Sequence, residues 1–446
     1  MTRVVRSRRV LTPEGVRAAS VQIEGGRIAA VADFDARPAG AELFDFGDAL
    51  VMPGVVDTHV HVNEPGRTEW EGFRSATEAA AAGGITSLVD MPLNSVPVTT
   101  TLAAFAEKRA AARGKLRVDL GYWGGVVPGN LAELPQMVRA GVLGFKCFLI
   151  DSGIDEFGWV GERELRPAME ELARLGVPLL VHAEVAGPMP PAPPPGSDSR
   201  KYSTYLHSRP RASEDQAVAL AARLCAETGA RTHIVHHSSS DALPILRDSR
   251  RRGAKLTAET CPHYLHFAAE EIPDGRTEFK CAPPIREREN REALWAALRE
   301  GVLDMVASDH SPCAPRLKKQ EQGRFDEAWG GVSGLQLALS VTWTEARRRG
   351  FTEQDLARWM CAAPARLAGL SRRKGSLLPG LDADLCVFRP EETFTVDPAR
   401  LRHKHKLTPY AGEELYGVVQ ATFLRGELVF QEGELQGPPR GTELLP

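Results

Sequence analysis

No stretch of this 446-residue chain approaches the roughly 18 consecutive apolar residues that a membrane-crossing helix needs. The basic N-terminus, MTRVVRSRRVLTPEG, also lacks the apolar run of about 7–15 residues that a secretory signal requires. An excess of one charge is missing too. The 55 Lys and Arg stand against 58 Asp and Glu, a net charge of −3, so the usual electrostatic footprint of nucleic-acid or anionic-membrane binding is absent. Cysteine is sparse: the seven residues (147, 225, 261, 281, 313, 361 and 386) are odd in number, scattered and without a CxxC pair, which supports neither a disulfide framework nor a zinc finger. No GxGxxG follows the first strand-like run, so a dinucleotide-binding open sheet loses its main signal. These exclusions leave the expectation of a cytoplasmic enzyme.

What is present is a repeating rhythm between about residue 55 and residue 310. Short runs rich in Val, Ile and Leu alternate with longer Ala/Glu/Arg-rich runs of helical period. The strand-like runs are 55–60, 85–90, 117–123, 144–150, 177–183, 232–237, 255–260 and 303–309; the expected helices are 69–82, 101–113, 131–140, 162–175, 213–228, 240–252 and 290–300. Each helix is followed by glycine (Gly83, Gly114, Gly141, Gly176, Gly229, Gly253, Gly301), expected as a left-handed stop. Eight strands alternating with helices over this length predict an α/β fold, a closed (β/α)₈ TIM barrel spanning 51–374. Both ends carry short hairpin-like runs with glycine turns, and residues 1–50 together with 375–446 are expected to form one small β-sandwich domain. The segment 187–205, GPMPPAPPPGSDSRKYSTY, reads as too proline-rich and polar for a regular element and is a candidate lid.

Chemistry-bearing residues gather at the strand ends. His59 and His61 lie two apart on one strand and so face the same side. His182 ends the fifth strand, His236 the sixth and Asp309 the eighth, and in a barrel these ends converge on one face. Four His and one Asp suit Zn²⁺ or a similar divalent ion. A lone strand-end histidine is more often structural, and Asp309 could cap a helix; it is the convergence of five such residues that favours a metal site. His233 and His237 are assigned no ligand role, while His263, His266 and His310 lie in loops near the same face with a structural or substrate-side role. Lys146, inside the apolar run GFKCFLI, is unexplained by this pattern, since burying an ammonium is costly.

HVH (59–61) followed by NEPG (63–66), the strand lysine in GFKCF, the later His182 and His236, and SDHSPC (308–313) together resemble the cyclic-amide branch of the amidohydrolase superfamily, which includes dihydroorotases, hydantoinases and allantoinases. The resemblance extends to GLDADLCVF (380–388), similar to a strand closing that family's small β-sandwich. It implies that Lys146 is carboxylated by CO₂ to N6-carboxylysine and bridges two divalent metals. It further implies that His59, His61 and Asp309 bind the more buried ion and His182 and His236 the other. Zn²⁺ is the expected metal, with Co²⁺, Mn²⁺ and Fe²⁺ also suited to these donors. A hydroxide between the metals would attack the ring amide, with Asp309 as general base and then acid. Glu184 could orient the histidines.

The resemblance also separates the branch members. Dihydroorotases carry an arginine where this chain has Asn63, and an amide cannot supply the bidentate clamp that a carboxylate favours. Hydantoinases carry a tyrosine where this chain has Asp151. DMPLNS (90–95), ETCPHYL (259–265), KCAPPIR (280–286), AWGGVSGLQ (328–336) and RHKHKLTPY (402–410) resemble the allantoinases instead. Allantoin is then the implied small-molecule substrate, opened to allantoate. Asn63, Asn94, the main chain at Cys281 and Ala282, and Gly330 and Gly331 are the implied contacts, although Asn94 could equally serve a turn or a helix cap. A hydantoinase or dihydropyrimidinase is the alternative, and an inactive scaffold a further one. A homotetramer without nucleic-acid or membrane partners completes the expectation.

Overall fold

The computed structural model describes residues 2–192 and 194–445. Pro193 of the candidate lid and the terminal residues Met1 and Pro446 of the expected β-domain lie outside the described residues. The strand-like runs form the barrel strands Val55–Val60, Ile85–Asp90, Asp119–Tyr122 continued by Gly124–Gly125, Phe145–Phe148, Leu179–His182, Thr232–Ile234, Leu256–Thr260 and Met305–Val306. Neighbours pair in parallel and in chain order. The ring closes where Val60 bridges His310, with the His61 amide donating to the His310 carbonyl at 2.8 Å. Every residue of Val55–Val60 and Ile85–Asp90 is buried, because one face of each strand fills the barrel and the other lies under helices.

The outer helices obey their amphipathic period. Glu162–Leu175 buries Leu165, Ala168, Met169 and Leu172, one stripe at spacings of three and four, and ends at Gly176 with φ 74°. Gly114, Gly141, Gly229, Gly253 and Gly301 also have positive φ. Gly83 departs from expectation: its φ is −91° and the left-handed turn falls to Gly84 at 77°. A Cβ on Gly84 would stand 2.5 Å from Cys386 Sγ, so close contact with the β-domain as well as φ selects glycine there. The helix before it begins at Phe73 rather than residue 69, because the Glu64 carboxylate accepts the Phe73 amide at 2.8 Å and caps the helix from outside its own turn.

Strands from the two ends of the chain share one sheet, joined where Leu50–Pro53 pairs antiparallel with residues 385–388. Its apolar faces enclose a core containing Val5, Val21, Val51, Leu385, Val387 and Phe423. The last residues leave this sheet and run beside the third barrel strand, where the Leu120 amide donates to the Thr442 carbonyl and Arg109 forks onto Glu443. The proline-rich segment also differs from expectation at its end. Tyr202–Ser208 is helical, and Tyr202 and Tyr205 are buried against Phe325, so aromatic burial overrides the polar composition. Among the described residues, no helix is long and apolar enough to cross a membrane.

Candidate active site

His59, His61, Lys146, His182, His236 and Asp309 lie together at the C-terminal mouth of the barrel, each 5% exposed or less. His59 Nε2 stands 3.2 Å from both Lys146 Nζ and an Asp309 carboxylate oxygen, and His61 Nε2 is 3.7 Å from the same oxygen. On the other side of the mouth, His182 Nδ1 and His236 Nε2 face each other at 2.9 Å. His182 is oriented by the ring of Phe148, stacked at 4.4 Å, and by Glu184, whose carboxylate accepts from His182 Nε2 at 2.9 Å and from Arg209 at 2.6 Å.

Burial, reinforced for His59 and His61 chiefly by the Lys146 charge, holds His59, His61 and His236 well below the ordinary histidine range. These imidazoles are therefore neutral, the form that binds metal. Burial also lowers the Lys146 ammonium against the pull of Asp309 and Glu259, and raises the Asp309 carboxyl against the pull of Lys146. The donor set of His59, His61 and Asp309 fits a divalent ion, their ligand atoms lying within 4.8 Å of one another. The facing nitrogens of His182 and His236 stand at hydrogen-bond distance, the His182 Nδ1 lone pair left free by the bond from Nε2 to Glu184.

Backbone strain gathers at the same mouth. Seven described non-glycine residues have positive φ, and four of them are Asn63 (66°), Asn94 (69°), His236 (39°) and Asp309 (45°). Such conformations persist where surrounding contacts hold them, and they cluster at working sites. Asn63 donates its amide to the Pro312 carbonyl at 3.1 Å while its own carbonyl oxygen, buried, has no partner. Asn94 stands 3.4 Å from His61 Nδ1, and the following helix is capped by Thr101 instead. Gly330 lies against Cys281, and a Cβ on Gly331 would meet the Ser311 carbonyl at 2.1 Å. Asn63 and Gly331 thus meet the Ser311–Pro312 segment, with Gly330 beside Cys281 and Asn94 beside His61. The Cys281 carbonyl, however, already accepts from Tyr205 at 2.6 Å.

One residue outside the sequence candidates organises these histidines. Glu259, fully buried, accepts from His59 Nδ1, from His233 Nε2 at 3.1 Å and from the His236 amide at 3.4 Å. It sets His59 with Nδ1 protonated and the Nε2 lone pair aimed into the mouth. His233 sits deeper, between Thr257 and Glu259. Asp57 supports the same end of the barrel by accepting the His59 and Ser308 amides. His310 bonds Glu71 at 3.3 Å and accepts the Gly334 amide, and His266 bonds Glu345 at 3.2 Å, so both are tied into the surrounding structure.

The amidohydrolase family model matches residues 50–429. An allantoinase from Streptomyces avermitilis is 52% identical over 436 residues, covering 98% of this chain and 97% of its own. An allantoinase from Arabidopsis thaliana is 43% identical, with 96% and 88% covered. Among solved structures, the L-hydantoinase (dihydropyrimidinase) from Arthrobacter aurescens superposes with a TM-score of 0.93 at 30% identity, with the whole of each chain covered.

Proposed function

The chain belongs to the amidohydrolase family, and within it to the allantoinases, and from that premise we propose that it hydrolyses the ring of allantoin to give allantoate. The observation that carries the reading is the meeting of His59, His61, Lys146, His182, His236 and Asp309 at a mouth whose nearby cations are already engaged. Arg67 donates to the Asn94 carbonyl and to Glu156, Arg209 to Glu184, and Lys318 to the Gly331 carbonyl. An uncharged ring suits such a mouth, whereas a carboxylate substrate would call for a free cationic fork.

In this proposal His59, His61 and Asp309 would hold one divalent ion and His182 and His236 a second, with Lys146, as N6-carboxylysine, a further donor to them. When bound, such ions acidify water and polarise an amide carbonyl. The neutral Lys146 amine attacks CO₂, forming an N–C bond and releasing one proton, and a costly buried cation becomes an anionic oxygen donor. Glu259 and Glu184 hold His59 and His182 in the tautomers that turn a lone pair inward. Asp309 takes the proton of the attacking water on its carboxylate and returns it to the ring nitrogen as the C–N bond breaks. Asn63, Asn94, Gly330, Gly331 and the main chain at Cys281 and Ala282 hold the ring and its ureido arm.

Zn²⁺ is the proposed ion, with Co²⁺, Mn²⁺ or Fe²⁺ acceptable to the same donors. The proposal includes a cytoplasmic homotetramer, and a division into a barrel over 51–374 and a β-sandwich from 1–50 with 375–446. Product analysis tests the activity. Allantoate should form from allantoin far faster than ring-opened product from dihydroorotate; preference for hydantoin or dihydrouracil would place the chain with the hydantoinase seen among its structural neighbours.

A further inference from the structure

The strand that carries Glu259 continues into Cys261, and the short helix Pro262–His266 begins immediately after it. Cys261 and His263 are both fully buried. A ring nitrogen of His263, the Cys261 sulfur and a carboxylate oxygen of Asp309 lie within 4.8 Å of one another. Both nitrogens of His263 lack any hydrogen-bond partner. An unpaired buried polar group is costly and calls for an occupant or a function. His237 and His403 are unpaired in the same way, but among the described residues neither belongs to a group of ligand atoms of this kind. The cluster is separate in chemistry from the ligand set above, which contains no sulfur, and touches it only through Asp309.

We propose that Cys261, His263 and Asp309 form an additional site for a thiophilic divalent ion such as Zn²⁺, and that filling it inhibits the enzyme by drawing Asp309 away from the reacting water. Sulfur, imidazole and carboxylate together favour a soft or borderline cation over Mg²⁺ or Ca²⁺. Tetrahedral Zn²⁺ with bonds of about 2.0–2.3 Å places its ligands roughly 3.5 Å apart, so donors within 4.8 Å of one another need to close by no more than about 1.3 Å. On binding, the Cys261 thiol gives its proton to solvent and coordinates as thiolate, His263 coordinates as neutral imidazole, and Asp309 contributes a carboxylate oxygen. The inhibitory consequence rests on the role given to Asp309 under the proposed function; the binding does not.

Cobalt titration of the metal-loaded enzyme tests the site. Protein carrying two equivalents of Co²⁺ is titrated with more Co²⁺ while thiolate-to-cobalt charge-transfer absorption and allantoin turnover are followed together. The absorption should rise with a third equivalent as turnover falls. Cys261→Ser should keep its turnover at two equivalents, lose the absorption, and require at least about tenfold more Co²⁺ for inhibition. His263→Asn should weaken both effects in the same direction and serves as the second test where the serine variant does not fold. Absence of the absorption at any loading, or its persistence in both variants, would overturn the site. An absorption that depends on Cys261 in protein inactive on allantoin would sustain the site and contradict the proposed function instead.

Discussion

Replacing Glu259 with glutamine keeps the side chain's size and removes its charge, which separates packing from proton placement at His59. The native carboxylate accepts from His59 Nδ1, His233 Nε2 and the His236 amide. A glutamine oxygen can still accept from one imidazole, but its NH₂ then faces the other imidazole's N–H. One histidine must change tautomer or lose its partner. If His59 changes, its proton moves to Nε2, the nitrogen that stands 3.2 Å from Lys146 and Asp309. Partners of this kind are worth about 10–100-fold in metal affinity, or roughly 1.4–2.8 kcal/mol. We expect Glu259→Gln to weaken Zn²⁺ binding by that factor in a chelator competition assay, and to lower kcat/KM most at limiting metal, with partial recovery at saturating metal. Unchanged metal affinity in a folded variant would refute the role of Glu259.

Asp309→Asn should cost about 10²–10⁴-fold in kcat while circular dichroism and Tm stay close to wild type; turnover within tenfold of wild type would remove Asp309 from the proton path. Gly331→Ala places a Cβ 2.1 Å from the Ser311 carbonyl in a backbone of φ 126°, so a loss of at least ~2 kcal/mol is expected by urea unfolding, with a raised KM for allantoin. The pH dependence of stability should carry a contribution from Glu345. Burial pushes its carboxyl up, but hydrogen bonds from His266 and Arg349 outweigh this and set it at about 2, below its ordinary 4.5. Its stabilisation is therefore present above pH 4.5 and lost as pH falls toward 2, amounting to no more than ~3 kcal/mol. The partner His266 is raised, because its bonds to Glu345 and Glu413 overcome burial; its share is full below pH 6.5 and fades as pH rises through the raised value. Glu345→Gln should flatten the fall of Tm on the acid side, and an unchanged acid profile would contradict this assignment.

The barrel was legible because its strands are buried on both faces and read as short apolar runs, and because most helices end at a glycine. The metal-type residues were legible for a related reason: strand ends in a barrel converge, so His59, His61, His182, His236 and Asp309 needed no contact map to be grouped. What resisted reading depends on long-range geometry. Glu259 is one acid among 58 acidic residues, and only its three partners, the rings of His59 and His233 and the main-chain amide of His236, mark it. The left-handed turn at Gly84 instead of Gly83 depends on where Cys386 of the β-domain lands. The helix Tyr202–Ser208 forms because Tyr202 and Tyr205 find Phe325 more than a hundred residues away, a contact that composition cannot show.

The central claim is that six ligands, one of them a carboxylated lysine, hold a metal pair that opens allantoin. Its most direct test is to strip the protein of metal and reconstitute it with Zn²⁺ or Co²⁺, with and without bicarbonate, measuring allantoate formation and bound metal in the same samples. The account predicts turnover that rises with metal to a plateau at two ions per chain and depends on bicarbonate, and loss of both metal and turnover in Lys146→Ala. Full allantoin turnover in metal-free protein, or in Lys146→Ala without added carboxylate, would contradict it.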